Sequence, residues 1–241
     1  MWKVVSWNVH SVNARLERLL AFLARESPDV VLLQELKCEE PKYPLAALQA
    51  AGYQSAMYGQ KTYNGVAILA KTPITEVHRG FADGELEEAR FITGVVNGVR
   101  VASAYIPNGQ AVGAEKYHYK LKFLDRLGTY LTANLPQPGP FVLGGDFNVA
   151  PEDRDVHDPE AWREQVLCST PERNALAELL LERGVNDVLG DPRRRVAGVV
   201  DWPREGRHGV RLPLRIDVAV RQRQGRGVSG PPYRAQLRTA A

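Results

Sequence analysis

Cysteine is scarce in this 241-residue chain: Cys38 and Cys168 are too few and too isolated for a disulfide framework or a zinc site, and two unpaired thiols are expected. Long apolar runs are missing as well. No stretch approaches the roughly 18 residues of a membrane span, and no basic-apolar-small leader follows Met1. Membrane insertion and secretion are therefore not expected, which leaves the cytoplasm. There is no internal repeat, and nothing within 1–190 reads as a linker. Residues 191–241 hold no Lys, and beyond Asp217 there is no Asp, Glu or His.

An apolar fraction of 44% in 241 residues suffices for a substantial core in one large domain or two small ones. The net charge of +3 hides an uneven distribution. Residues 1–190 hold 19 Lys and Arg against 24 Asp and Glu, a balance of −5, whereas 191–241 hold 12 Arg against 4 acids, a balance of +8. A basic end of this kind can be a nucleic-acid arm. Apolar runs fade there while Arg, Gly and Pro rise. A domain is expected over 1–220, atypical after about 192, followed by a basic tail over 221–241.

Strand ends dominate the remainder. Trp2 to His10 reads as a strand ending at Ser6-Trp7-Asn8. Val12, Leu16, Leu19, Leu20 and Leu23 then recur at helical spacing, Ser27-Pro28-Asp29 breaks the helix, and Val30 to Leu33 form a buried strand closed by Gln34-Glu35. Adjacent strands bring Asn8 and Glu35 together. A carboxylate beside a carboxamide oxygen suits a hard divalent cation such as Mg²⁺ or Mn²⁺, although a Glu after a strand also suits a solvated loop. A short helix over 44–51, strands over 53–58 and 66–70, and a hairpin of 93–96 with 99–105 follow, the last joined by Asn97-Gly98, the signal of a type I′ turn. Tyr105 ends that hairpin, where its hydroxyl can meet a phosphate or simply pack. Residues 117–135 carry leucines at helical spacing. Lys116, Lys120 and Lys122 near that helix's start can line a phosphate track or form a solvated face.

Phe141-Val142-Leu143 read as a short buried strand ended by Gly144-Gly145, which presents Asp146 and Asn148. Asp can take a proton from water or hold a cation, and Asn can bond a phosphate oxygen without adding charge. The pair also suits a turn that caps its own backbone. An acidic loop over 152–164 and a helix opened by Thr170-Pro171-Glu172 follow.

Five motifs in order resemble the exonuclease III family of abasic-site endonucleases, within the endonuclease/exonuclease/phosphatase superfamily. They are Ser6-Trp7-Asn8-Val9, Leu33-Gln34-Glu35-Leu36-Lys37, Asn64-Gly65-Val66-Ala67-Ile68-Leu69, Tyr105-Ile106-Pro107-Asn108-Gly109 and Gly145-Asp146-Phe147-Asn148. The resemblance implies an α/β fold, a four-layer sandwich of two mixed β-sheets packed face to face with helices outside, and a site at one end of the sheets. It implies a monomer that acts on double-stranded DNA at abasic sites and 3′ ends, with Mg²⁺ or Mn²⁺. The implied metal set is Glu35 with Asn8, joined by Asp146, Asn148 and Asp217. Tyr105, Asp146 and Asn148 are the implied catalytic residues: Tyr105 at the scissile phosphate, Asp146 activating water or protonating the leaving group, and Asn148 orienting the phosphate. Asn108, Lys116 and Trp202 join Tyr105 in binding substrate.

The resemblance weakens towards the end of the chain. Leu214-Arg215-Ile216-Asp217 matches a late family block, but Val199-Val200-Asp201-Trp202 is a poor version of the Trp-rich segment before it. The closing Ser-Asp-His block has no counterpart. Impaired hydrolysis is the resulting expectation, with a disturbed frame after about Pro192 or a genuine basic variant tail as its origin. Two other functions stay open: a catalytically inactive DNA-binding member, and a phosphodiesterase of small phosphate esters.

Overall fold

Alternation along the central strands sorts their side chains to two faces, and that sorting builds the molecule. The computed structural model describes residues 2–85, 88–134, 141–156, 158–181, 186–187, 198–201 and 214–216. Trp202 and Asp217 lie outside the described residues.

Trp2–Asn8 (β1) and Val30–Gln34 (β2) pair in parallel on either side of a helix, Leu16–Glu26 (α1). Gln54–Tyr58 (β3) and Val66–Ala70 (β4) continue that sheet in antiparallel fashion, and Leu214–Ile216 (β11) closes its other edge beside β1, giving the order β11-β1-β2-β4-β3. The second sheet contains Thr75–Arg79 (β5), Phe91–Val96 (β6), Val99–Tyr105 (β7), Phe141–Asp146 (β8), Asn186–Asp187 (β9) and Gly198–Asp201 (β10). Its order is β5-β6-β7-β8-β10-β9, with β7 and β8 parallel. Asn97 and Gly98, at φ 50° and 77°, make the tight β6–β7 connection that the sequence predicts.

Both sheets are mixed and pack face to face. Val4, Val30, Leu32 and Ile68 of one meet Ile92, Val101 and Val142 of the other. The alternate residues Val5, Val31, Leu33 and Leu69 face outward, against Leu19 and Leu23 of α1 and Leu48 of Leu45–Ala50 (α2). On the far side, Ala102, Ala104, Phe141 and Leu143 pack against Phe123, Leu127 and Leu131 of Glu115–Asn134 (α3). Leu176 and Leu179 of Thr170–Leu181 (α5) complete that layer. Each fully buried Val, Leu, Ile or Phe among them contributes about 1.5–3 kcal/mol. Among the described residues no helix is long and apolar enough to cross a membrane, and both cysteines are free and buried.

Several local expectations are revised. The helix expected from Val12 starts at Leu16, because His10 and Ser11 take φ 47° and 90° and turn Val12 into the core, where its N–H meets the Leu36 carbonyl at 3.1 Å. β8 does not stop at its glycines but runs through them to Asp146. A Cβ on Gly144 would lie 2.6 Å from Leu32 Cδ1, and one on Gly145 would collide with the Ala104 carbonyl, so the pair permits close approach rather than ending the strand. The segment Thr75–Arg79, too polar to read as a strand, is an exposed edge strand bulged between Thr75 and His78. The acidic 152–164 stretch contains a 3₁₀ turn, Asp153–Asp155, and a short helix, Pro159–Trp162 (α4).

Candidate active site

The inward-facing residues of four strands change character in step. Along β1 they run Val4, Ser6, Asn8; along β2, Val30, Leu32, Gln34; along β7, Val101, Ser103, Tyr105; along β8, Val142, Gly144, Asp146. An apolar rung gives way to one that holds two serines and a glycine beside Leu32, and then to a rung of functional groups. Gln34, level with Asn8, reaches back to the serines: its Nε2 donates to Ser103 Oγ at 2.9 Å across the sheets and to the Leu32 carbonyl at 3.0 Å, while Ser103 Oγ donates to the Leu33 carbonyl at 2.9 Å. These bonds satisfy polar groups that burial would otherwise penalise, and they fix the spacing of the two sheets beneath the cluster.

The cluster joins both sheets. Asn8 Nδ2 donates to Glu35 Oε1 at 2.9 Å and to Asp146 Oδ2 at 2.7 Å, so one carboxamide bridges two carboxylates. The Tyr105 hydroxyl donates to Glu35 Oε1 at 3.0 Å. Asp146 Oδ1 accepts the Asn148 N–H at 3.1 Å, and Asn148 Nδ2 donates to the Ile106 carbonyl at 2.8 Å. Glu35 and Asn148 both sit in the left-handed region, at φ 56° and 50°, a conformation that costs on the order of 1–3 kcal/mol and gathers at working sites.

The environments of the two carboxylates differ in sign. Burial pushes Glu35 up, but hydrogen bonds from Asn8, Lys37 and His10 more than offset it and hold its pKa at about 2. Burial raises Asp146 above its ordinary value despite the Asn8 and Asn148 donors. A fixed anion thus lies beside a carboxyl closer to proton exchange, the separation that acid–base chemistry uses. Burial and the Glu35 carboxylate also raise the Tyr105 hydroxyl, keeping it a donor. The Arg90 guanidinium, 4.8 Å above the Tyr105 ring, holds that side chain from behind.

Of the residues singled out from sequence, Asn8, Glu35, Tyr105 and Asp146 come together here, with Asn148 directly behind. Asn108 is exposed on the neighbouring loop, its Nδ2 3.5 Å from Asn148 Oδ1. Lys116 is exposed on the first turn of α3. Lys120 is neither on a phosphate track nor on a solvated face: it is wholly buried, and its ammonium pairs with Glu172. Sequence reasoning gave no role to His10 and Lys37. His10 Nδ1 and Lys37 Nζ lie 2.8 Å and 2.9 Å from Glu35 Oε2. Their signal was present, each standing two residues after a strand-end polar group, but loops after strands do not declare which way they fold back.

Among the described residues no three His, Cys, Asp or Glu side chains form a metal-holding group. The donor set instead offers the Glu35 and Asp146 carboxylates, both hard donors; the Asn8 carboxamide oxygen, expected as a further ligand, accepts the His10 N–H at 3.0 Å while Nδ2 faces the two carboxylates. The Lys37 ammonium on Glu35 Oε2 shows that this oxygen holds a cation. That set fits Mg²⁺, which keeps several waters and takes one or two protein carboxylates.

The endonuclease/exonuclease/phosphatase family model matches residues 5–225. Exodeoxyribonuclease III of Haemophilus influenzae is 31% identical over 196 residues, 77% of this chain and 73% of that protein. The 3′-5′ exonuclease NExo of Neisseria meningitidis superposes with a TM-score of 0.71 at 42% identity, over 73% of this chain and 70% of that one. An AP endonuclease from Archaeoglobus fulgidus gives 0.72 at 34% identity, over 75% and 70%. With the same two-sheet architecture and Asn8, Glu35, Tyr105 and Asp146 gathered at one end of it, the chain belongs to the exonuclease III family of abasic-site endonucleases, within the endonuclease/exonuclease/phosphatase superfamily.

Proposed function

We propose that this chain is a DNA repair nuclease that hydrolyses phosphodiesters with a divalent metal, 5′ to abasic sites and at 3′ ends. The observation that carries the reading is the bridge of Asn8 Nδ2 between Glu35 and Asp146, which places an ionised carboxylate and a raised one on opposite sheets but in one cluster.

In this reading Glu35 would hold Mg²⁺ with Asp146 alongside, and Asn8 would keep the two carboxylates together through its Nδ2. The metal supplies Lewis-acid stabilisation of the charge that develops on the phosphate oxygens. Asp146 takes the proton of the attacking water, and its raised pKa equips it to return that proton to the leaving oxygen. The Tyr105 hydroxyl, held by Arg90, donates to a non-bridging oxygen. Asn148 and Asn108 present carboxamides to the phosphate from the β8 and β7 loops. By its sequence block Leu214-Arg215-Ile216-Asp217 this reading adds the acid Asp217, and it assigns packing on the sugar to Trp202.

A polymeric substrate is favoured over a small ester by the loop at 59–65, which folds against the Glu35–Lys37 segment: the Lys37 N–H bonds the Asn64 carbonyl at 2.8 Å, and the Leu36 N–H bonds that of Gly65 at 3.1 Å. Tyr63 on that loop is 68% exposed, and Lys61 and Thr62 beside it are exposed too, a surface suited to stacking and phosphate contact along a strand. One relative at 42% identity is a 3′-5′ exonuclease, which favours 3′-end processing as the stronger activity.

The test is cleavage of two duplexes, one with a tetrahydrofuran abasic site and one with a recessed 3′ end, in Mg²⁺ and in EDTA, beside Asp146→Asn. Scission that requires both the metal and Asp146 is expected, faster on the 3′ end. A folded wild-type protein that cuts neither duplex overturns the reading, and cleavage of a small phosphate ester alone would replace it.

A further inference from the structure

The site's polar groups account for one lysine–glutamate pair, Lys37 with Glu35, and leave a second unexplained. Lys120 and Glu172 have side chains with no solvent exposure. Isolated charges are costly to bury, and apolar side chains of similar volume commonly serve stability as well or better. A fully buried pair therefore calls for a job other than holding α3 to α5.

The ammonium's partners indicate that job. Lys120 Nζ donates to the Asn148 carbonyl at 2.5 Å, to the Asn108 carbonyl at 3.3 Å and to Glu172 Oε1, which uses its three protons. Asn148 lies two residues after Asp146, and Asn108 three after Tyr105. Glu172 in turn accepts the Leu167 N–H at 3.1 Å, the Ser169 N–H at 3.2 Å and the Ser169 hydroxyl at 2.6 Å. The Leu167 carbonyl accepts the Ala150 N–H at 2.8 Å, closing a ring of contacts through three loops. Packing is tight on the near side as well, where a Cβ on Gly109 would stand 3.3 Å from Lys120 Cδ. Two of the tied residues, Asn148 and Leu167, are in the left-handed region at φ 50° and 79°, which persists only when surroundings over-determine it.

We propose that Lys120 and Glu172 are positioning residues: one buried ammonium, fixed by one buried carboxylate, sets the loops after β7 and β8 so that Asn108 and Asn148 stand in register with Tyr105 and Asp146. The role rests on the reading of that cluster as the phosphodiester-cleaving site. Lys120 touches no reacting atom.

The decisive variant is Lys120→Met with Glu172→Gln, which leaves no lone charge buried. It should melt within a few degrees of wild type, yet cleave with kcat lowered about 10²-fold, the cost of a misplacement near 1 Å. KM and the affinity for duplex in EDTA should change far less than kcat, because only the Asn108 and Asn148 contacts shift while the other binding groups stay in place. Wild-type kcat in this double variant would reduce the pair to a support of the fold and overturn the proposal. Hydrogen exchange tests the clamp without cleavage and without a variant that fails to fold. In the wild-type protein the amides of Asn148 and Ala150 should exchange as slowly as those within β8. In Glu172→Gln the loops 106–110, 148–150 and 167–169 should speed up together by about tenfold while β2 and β4 do not. Fast or unrelated exchange of these loops in wild type overturns the clamp even if cleavage is normal, whereas a protein that cuts no DNA but shows the coupled exchange overturns the functional reading alone.

Discussion

Two lysine–glutamate pairs serve the two halves of the site in opposite ways. In front, Lys37 meets Glu35 where the side chains are 20% and 5% exposed, so the lysine neutralises a carboxylate that belongs to the site. Behind, Lys120 meets Glu172 with both side chains at 0%, and the lysine spends its remaining protons on main-chain carbonyls. The same ion pair is a replaceable counter-ion where water reaches it and a fixed joint where water does not. Burial, more than residue identity, assigns the role.

Removing the proton-carrying group bounds the comparison from above. Asp146→Asn leaves one acceptor oxygen where the carboxylate had two, so it keeps the Asn8 or the Asn148 contact but not both, and kcat should fall by about 10³-fold in single-turnover cleavage, within the range for loss of a positioned acid or base. A loss of tenfold or less would move the proton chemistry elsewhere. Next comes the rear pair. Lys120→Met leaves Glu172 buried and unpaired, and urea unfolding should show a loss of about 3–5 kcal/mol. A loss below about 1 kcal/mol would mean that the rear pair behaves like a surface pair.

The front pair should respond to pH. Because the pKa of Glu35 is depressed to about 2 from 4.5, its contribution to stability is complete above the ordinary value and is lost as pH falls through about 2. Between about pH 5 and pH 2 wild type should therefore lose more unfolding free energy than Glu35→Gln, and parallel curves would break the assignment. The smallest effect is expected of Lys37→Met, which should cost about 0–1 kcal/mol in the same assay. The same change should tighten Mn²⁺ binding, followed by water-proton relaxation, by about tenfold, since a cation no longer competes for Glu35 Oε2. Weaker Mn²⁺ binding would make Lys37 a supporter of the metal and not its rival.

The strand-end residues were legible because a two-residue period and apolar runs closed by polar groups need no knowledge of the partner sheet. Asn8, Glu35, Tyr105 and Asp146 were found in that way, and motif order linked them. Lys120 was not legible, since a lysine near the start of an amphipathic helix reads as surface until the loop carbonyls that claim it are placed. Neither was the passage of β8 through Gly144 and Gly145. Glycine signals an ending locally, and only the nearness of Leu32 and Ala104 explains its absence of side chain. β5 escaped because edge strands hide behind charge.

The bridge through Asn8 joins positions 138 residues apart in sequence, and the Tyr105–Glu35 bond spans 70. Neither sheet holds a site by itself. The two sheets share one apolar core, so the packing that buries Val4, Leu32 and Val142 is also what brings the two pieces of the cluster together. Cleavage therefore reports the docking of the sheets, not their formation. A chain with only one sheet in place has no complete cluster.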